Sequence, residues 1–300
     1  MLTRTMRRVR KLVTGIQLGG HEAAMLVWNG FRMALDRHPT PDEERMYGGA
    51  LTAGRLSPSE FLAELTKSSE YEPRTPPSPL HALHAAREVM VRGLPKADTI
   101  VDLGGGADDR PMGAMVFMGY PYRFDTLTIV EPPREDRHDL YKNLAPGDPI
   151  EYDTGRGVVQ YLYTSMADLS PIPSGSVDLV FSGESIEHVT REDCERVLAE
   201  TRRVLKPCGR FCFDTPNRAV TRVQFGDGQF INPDHKYEYT HAEMRDLLDR
   251  HGFEVEEQKG ISWCPSAAEG RFDLGEIMEN IGVYDDIENC YLLYYRCRPR

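Results

Sequence analysis

Thr99-Ile-Val-Asp-Leu-Gly-Gly-Gly-Ala-Asp-Asp-Arg-Pro111 is a short apolar run that ends in an acidic residue and a glycine turn. The run predicts a buried strand. Gly104 and Gly106 let the backbone that follows turn tightly and approach a ligand closely. A dinucleotide fingerprint needs G-x-G-x-x-G opening a helix. Here Ala107, Asp108 and Asp109 follow Gly106, so the last glycine is missing. The two aspartates would repel a pyrophosphate and are harmless to a cationic ligand.

Working outward, further apolar runs occupy 126–130, 159–163, 177–181 and 209–214, with helical patterns between several of them. Alternation of this kind predicts an α/β fold with a mostly parallel sheet covered on both faces. The clearest helix spans 191–205, with Val197, Leu198 and Val204 on its apolar face and Lys206-Pro207-Cys208-Gly209 as its stop. A second spans 240–251, where Thr240 and Glu243 form a capping box and Gly252 ends it. A helix at 80–92 leads into the first strand, and the tail 288–297 reads as a late strand.

Tyr71-Glu-Pro-Arg-Thr-Pro-Pro-Ser-Pro-Leu80 divides the chain. Proline removes backbone donors and restricts the preceding residue, so a semi-extended connector is expected. The expected organisation is a helical region at 1–72, a linker at 73–79 and an α/β domain at 80–300. Within the front region, helices are expected at 22–36 and 59–69, the second capped by Ser57 or Ser59 with Pro58 near its start. The stretch 42–53 is ambiguous.

Composition sets the outer limits. The chain has 300 residues, 40% of them hydrophobic, which excludes a disordered or fibrous class. It has no apolar run long enough to span a membrane. The basic start (Arg4, Arg7, Arg8, Arg10, Lys11) is not followed by a continuous apolar segment, so no signal peptide is expected. The six cysteines form no CxxC pair and are expected to be reduced thiols in a cytoplasmic protein. A net charge of -11 disfavours a generic nucleic-acid binder. The oligomeric state is not legible.

Several side chains carry chemistry. Glu131 ends the strand "FDTLTIVE" and can take two ribose hydroxyls in a two-acceptor grip. Glu184, Glu187 and His188 lie at offsets of three and four, so a helix would bring them to one face. Two carboxylates and an imidazole suit a divalent ion such as Mg, Mn, Fe or Zn. His235 stands in "NPDHKYEYT", just before a capped helix. Each also has a plain structural reading: a solvated carboxylate, a packing histidine, a loop histidine. The segment 218–239 holds Phe225, Phe230, Tyr237 and Tyr239, which can either stack on a ligand or anchor a lid.

Together, "VDLGGGADD", "VEPP", "SMADLSPIPSGSVDLVFSGESIEHV" and "RVLKPCGRFCFDTPN" stand in the order typical of class I methyltransferases, and the chain resembles that family over roughly 80–260. The resemblance implies a Rossmann-like fold with a seven-stranded, mostly parallel sheet and S-adenosyl-L-methionine as cofactor. It implies that Asp102, Gly104 and Gly106 surround the methionine part, Glu131 holds the ribose and Asp168 bonds the adenine, with Ser182 beside them. Asp108 replaces the family's third glycine.

A narrower resemblance is to the small-RNA 3'-terminal ribose methyltransferases, carried by Glu184, Glu187, His188, Thr215-Pro216-Asn217 and Asp234-His235-Lys236-Tyr237-Glu238-Tyr239-Thr240. It implies a divalent metal, such as magnesium or manganese, on Glu184, Glu187, His188 and His235. His188 or His235 would act as catalytic base where no metal is bound. The front stretch "FRMALDRHPTPDEERMYGGALTAGRLSPSEFLAELTKSSEY" resembles a small helical module found on bacterial cell-surface and glycan-related proteins. With the acidic charge, it favours a sugar or small polyhydroxylated substrate over RNA. A non-catalytic, cofactor-binding scaffold is the remaining reading.

Overall fold

The computed structural model describes residues 18–35, 37–70, 79–106, 111–137 and 151–300. The basic start, most of the proline-rich linker, and Ala107, Asp108 and Asp109 lie outside these residues. The chain divides into two compact units, Met1–Pro76 and Pro77–Arg300.

Among the described residues of the first unit, three helices surround a small apolar centre. They are α1 (Gly20–Leu35), α2 (Pro41–Thr52) and α3 (Pro58–Leu65). The ambiguous stretch at 42–53 is thus helical. Thr40 caps it, with Glu43 completing the box, and Pro41 supplies the first turn. Ser57 rather than Ser59 caps α3, again with a reciprocal glutamate, Glu60. Val27, Phe31, Leu51, Phe61 and Leu65 form the buried centre. Arg37 ties the unit together through ion pairs to Glu43 at 2.9 Å and Glu70 at 2.7 Å.

The second unit is an α/β sandwich. In chain order it has α4 (Pro79–Arg92), β1 (Thr99–Leu103), α5 (Gly113–Phe117), β2 (Thr126–Glu131), β3 (Glu151–Asp153), β4 (Val158–Tyr163) and β5 (Val177–Gly183). Then come α6 (Arg191–Val204), β6 (Leu205–Pro216), α7 (Arg218–Phe225), α8 (His241–Arg250), β7 (Phe253–Trp263), α9 (Leu274–Glu279), β8 (Val283–Tyr284) and β9 (Cys290–Pro299). The nine strands among the described residues are ordered β3-β4-β2-β1-β5-β6-β9-β7-β8. Strands β4, β2, β1, β5 and β6 are parallel, and β9 enters antiparallel between β6 and β7. The expected seven strands are present. Two short antiparallel strands, β3 and β8, extend the edges.

Alternate residues of each central strand feed opposite faces, as a two-residue period requires. Ile100, Leu179, Phe181, Cys212 and Tyr294 pack on one side with Met90 and Val91 of α4 and with Leu94 just after it. Val101, Leu103, Val180, Phe213 and Leu293 pack on the other with Val197 and Leu198 of α6 and Leu247 and Leu248 of α8. Both faces are covered, which is why these strands read as near-continuous apolar runs.

Two local expectations change. Lys206-Pro207-Cys208-Gly209 does not close α6 as a loop; it lies within β6, where Val177 pairs Leu205 and Leu179 pairs Arg210 across an irregularity. Strand β7 had no apolar alternation to announce it, because Glu254, Glu256, Glu257 and Lys259 interrupt the run. None of the six cysteines forms a disulfide. Among the described residues, no helix is long and apolar enough to cross a membrane.

The strand order fixes where a ligand can bind. From β1 the chain proceeds outward through β2 to β4, then returns to β5 on β1's other side. The crevice beyond the carboxyl ends of β1 and β5 is therefore the switch point of an open sheet.

Candidate active site at the switch point

Three strand ends build the first half of the site. Gly104 leaves β1 at φ 71°, a conformation that favours glycine, and its N–H donates to Val130 O at 2.8 Å. The next two glycines lie against carboxylates. A Cβ on Gly105 would come within 2.0 Å of Asp102, and one on Gly106 within 2.6 Å of Glu131 Oε1. The Gly106 N–H donates to that same Glu131 oxygen at 2.7 Å. The sequence thus needs glycine here for close approach as well as for the turn.

Asp102 is 1% exposed, and neither carboxylate oxygen has a hydrogen-bond partner. Burial pushes its pKa up to about 8, and the neighbouring Glu131 adds to this. The Met115 backbone amide acts in the opposite direction, toward the charged form. Burial also raises Glu131, against the Gly106 hydrogen bond. Ser182, at the end of β5, is fully buried, with its hydroxyl unpartnered. Asp168 sits apart in character. It is exposed after β4, and its Oδ1 accepts from Ser170 N at 3.1 Å. A buried, unsatisfied carboxylate beside a second one costs free energy until a cation or donor arrives. This half therefore fits a positively charged ligand that also offers hydroxyl donors, as S-adenosyl-L-methionine does.

The second half is an imidazole–carboxylate cluster. Glu187, His188 and His235 each present one ligating atom, all within 4.8 Å of one another. His188 Nδ1 lies 3.0 Å from Asp234 Oδ2, and His235 Nδ1 lies 2.8 Å from Glu238 Oε1. With each Nδ1–H directed at a carboxylate, Nε2 is the nitrogen whose lone pair can ligate. Glu187 is fully buried; its Oε2 accepts from Thr215 Oγ1 at 2.9 Å, while Oε1 has no hydrogen-bond partner and lies 3.9 Å from His235 Nε2. Burial, with Glu184 beside it, raises the Glu187 pKa well above the carboxylate range. Burial and His235 lower that of His188, against the pull of Asp234. An unpartnered buried carboxylate between two oriented imidazoles fits a divalent cation.

The structure brings three of the four expected metal ligands together. The fourth, Glu184, directs its Oε2 to Arg87 Nη1 at 2.7 Å. The motif also does not open a helix: Ile186–His188 forms a single 3-10 turn, and α6 starts only after the Thr190 cap. Residues 184, 187 and 188 therefore do not share a helical face.

Several contributors carried no assigned role in the sequence reading. Arg87 of α4 and Asp214 of β6, both buried, join the half-buried Glu184 in an ion-pair chain, with Arg87 Nε 2.8 Å from Asp214 Oδ1. Burial opposes the Arg87 charge, and Asp214 and Glu184 more than offset it, so its pKa stands above the ordinary value. Thr215 supports Glu187, whereas Asn217 caps α7 and reaches Glu288 O and Cys290 O at 2.8 and 2.9 Å. Glu238 also accepts from Thr221 and from the Ile231 N–H. Its spacing of three from His235 was the available signal.

Beyond His235, a cleft of about 490 Å³ is lined by Gly228, Gln229, Phe230, Asn232, Pro233 and His235. Arg218 braces this loop, donating to Gln229 O and Gly226 O and lying 5.0 Å from the Phe230 ring centre. Of the four aromatics expected here, Phe230 lines the cleft. Tyr239 is fully buried in the core and cannot stack on a ligand.

A family model described as "Methyltransferase domain" matches residues 139–213, which include Asp168, Ser182, Glu184, Glu187 and His188. A Mycolicibacterium smegmatis protein described as a "probable S-adenosylmethionine-dependent methyltransferase" is 38% identical over 105 residues. That stretch covers 34% of this chain and 38% of the relative. A Mycobacterium tuberculosis protein of the same description is 36% identical over 97 residues, 32% of this chain and 33% of its own length. The matches thus span well under half of these curated relatives. An S-adenosylmethionine-dependent methyltransferase of Thermotoga maritima superposes with a TM-score of 0.50 at 18% identity, covering 74% of this chain and 91% of that one. The Pro77–Arg300 unit has the α/β, Rossmann-like methyltransferase fold.

Proposed function

We propose that this chain is an S-adenosylmethionine-dependent O-methyltransferase acting on a hydroxyl of a small polyhydroxylated molecule, with a divalent cation at Glu187, His188 and His235. The observation that carries the reading is the adjacency of the two half-sites. Ser185 Oγ occupies the space beside Gly104, only 2.5 Å from where a Cβ there would stand, and Glu187 and His188 follow in the same turn.

Bound in the crevice, the sulfonium cofactor supplies an electrophilic methyl group. A divalent cation supplies Lewis acidity that lowers the pKa of a coordinated hydroxyl. The chain's own residues do the rest. Asp102 and Glu131 supply two buried carboxyl groups whose ionised forms a cationic ligand would stabilise, and Glu131 retains an oxygen to accept from a ribose hydroxyl. Asp168 is the proposed adenine contact, and Ser182 offers its unpartnered hydroxyl at the floor. Glu187 and the two imidazoles hold the acceptor end. Where no metal is bound, His188 or His235, each with Nδ1 on a carboxylate, can take the hydroxyl proton on Nε2. Transfer breaks the S–CH3 bond and forms an O–CH3 bond, and the proton leaves through this cluster.

The cleft lining favours a neutral acceptor. It offers an aromatic edge at Phe230 and the side-chain amides of Gln229 and Asn232, which suit the hydroxyls of a polyol. The test is a cofactor-turnover assay across small sugars, glycosides, sugar nucleotides and short RNAs, with and without EDTA. Turnover on a sugar or glycoside that EDTA abolishes and manganese restores is expected. Turnover on RNA alone, or turnover insensitive to EDTA and to Glu187→Ala, would overturn the acceptor or the metal part respectively. No S-adenosylhomocysteine binding by calorimetry would overturn the whole reading.

A further inference from the structure

The chain leaves β5 through one strained residue. Glu184 has φ 49°, which is uncommon for anything but glycine. Its N–H donates to Asp214 O at 3.0 Å, and its carboxylate meets Arg87, which in turn bonds Asp214. Arg87 is 4% exposed and comes from α4, the helix that opens this unit. Its Nη2 also lies over Gly183, where a Cβ would come within 2.7 Å of it. The turn so pinned borders both half-sites, because Ser185 packs against Gly104 and Glu187 and His188 complete the cluster.

We propose that Arg87 is a positioning residue for both halves of the site. By bridging Glu184 and Asp214 it holds the turn 183–188 in the one conformation that sets the wall of the glycine loop and the Glu187–His188 donor pair together. What the two halves bind rests on the function proposed above; the lock itself rests on the ion-pair geometry. A planar guanidinium can hold two carboxylates on two strands at once, whereas a lysine ammonium is a point charge on a flexible stem. The ordering of a non-glycine residue at positive φ requires such surrounding constraint.

Three variants test it: Arg87→Lys, Glu184→Gly and Glu184→Gln. Glycine relieves the backbone strain at 184 but deletes the link, and glutamine keeps an oxygen for Arg87 without the charge. S-adenosylhomocysteine binding is measured by calorimetry in EDTA, and Mn2+ binding without cofactor by competition with a chelating dye. Arg87→Lys and Glu184→Gly are expected to weaken both ligands by about tenfold, and Glu184→Gln to retain both within about threefold. Loss of Mn2+ binding alone in both Glu184 variants, with Arg87→Lys unaffected, makes Glu184 a direct ligand and overturns the proposal. A third readout does not depend on ligands. Amide exchange at Glu184 and His188 is expected to rise about tenfold or more in Arg87→Lys while the β1 amides stay protected. Unchanged exchange at 184 and 188 overturns the lock. Failure of the wild-type protein to bind either ligand overturns the proposed function and leaves this readout to decide. Should Arg87→Lys fail to fold, Glu184→Gly carries the same three measurements.

Discussion

The Nδ1 of His235 and the Oε1 of Glu238 stand 2.8 Å apart, both side chains buried, with the carboxylate also held by Thr221 and the Ile231 amide. One acidic side chain therefore sets the tautomer of a candidate ligand and the path of the loop that forms the cleft. Replacing Glu238 by alanine frees the ring and strands two donors. Mn2+ affinity should fall by about 10–100-fold, with Glu238→Gln intermediate. A titration against a chelating dye reads this directly, and wild-type affinity in Glu238→Ala would remove His235 from the ligand set.

Asp102 gives a prediction with a definite sign in pH. Its folded pKa of about 8 lies above that of a free carboxyl. Folding therefore favours the protonated form. The stability it allows is complete below the free value of about 4 and is lost as pH rises through about 8. Asparagine imitates the neutral form at every pH. Asp102→Asn should unfold at higher denaturant than wild type above pH about 8, by about 1–3 kcal/mol, with the gap closing near pH about 4. The same variant should bind S-adenosylhomocysteine more weakly. Equal stability of the two proteins across that range would show Asp102 to be solvated or paired.

Gly106 tests the glycine loop. Alanine there would force the Glu131 carboxylate away, since a Cβ would come within 2.6 Å of Oε1. Stability should drop by about 1–3 kcal/mol and binding of the cofactor product by at least about tenfold. Gly48→Ala, where a Cβ meets nothing within 4 Å, is the control: it should leave cofactor-product binding unchanged and, lying inside α2, raise stability by up to about 1 kcal/mol.

Glu187 makes metal binding depend on pH. Burial and Glu184 hold its pKa well above the usual range, and a ligand carboxylate must be deprotonated. Mn2+ affinity should therefore rise as pH increases, with proton release on binding. Burial and His235 lower the pKa of His188, which lessens its competing protonation. Competition titrations at two pH values with buffers of different ionisation enthalpy measure both effects. An affinity independent of pH would exclude Glu187 as a ligand.

Much of the architecture was legible because its determinants are local. Thr240 with Glu243, Ser57 with Pro58 and Glu60, and the buried runs of β1, β2, β4 and β5 encode capping, helix entry and burial within a few residues. Strand β7 escaped notice because its charged residues pair across the sheet, Glu254 with Arg298 and Glu257 with Arg296. Those partners stand some forty residues further along. Tyr239 looked like a lid aromatic because a sequence shows a ring and not the apolar cluster that surrounds it.

By itself the sequence determined the glycine turn after Asp102, the strand ends at Glu131 and Ser182, and the Glu187–His188 and His235 segments, since backbone freedom and ligand chemistry belong to the residue. Only the tertiary structure decided how these side chains point. Arg87 reaches Asp214 across 127 positions, and the same guanidinium pairs with Glu184, one of the carboxylates expected at the cluster. A long charged side chain in a low-dielectric interior goes where its nearest compensating charge stands, and that position is set by packing between distant segments.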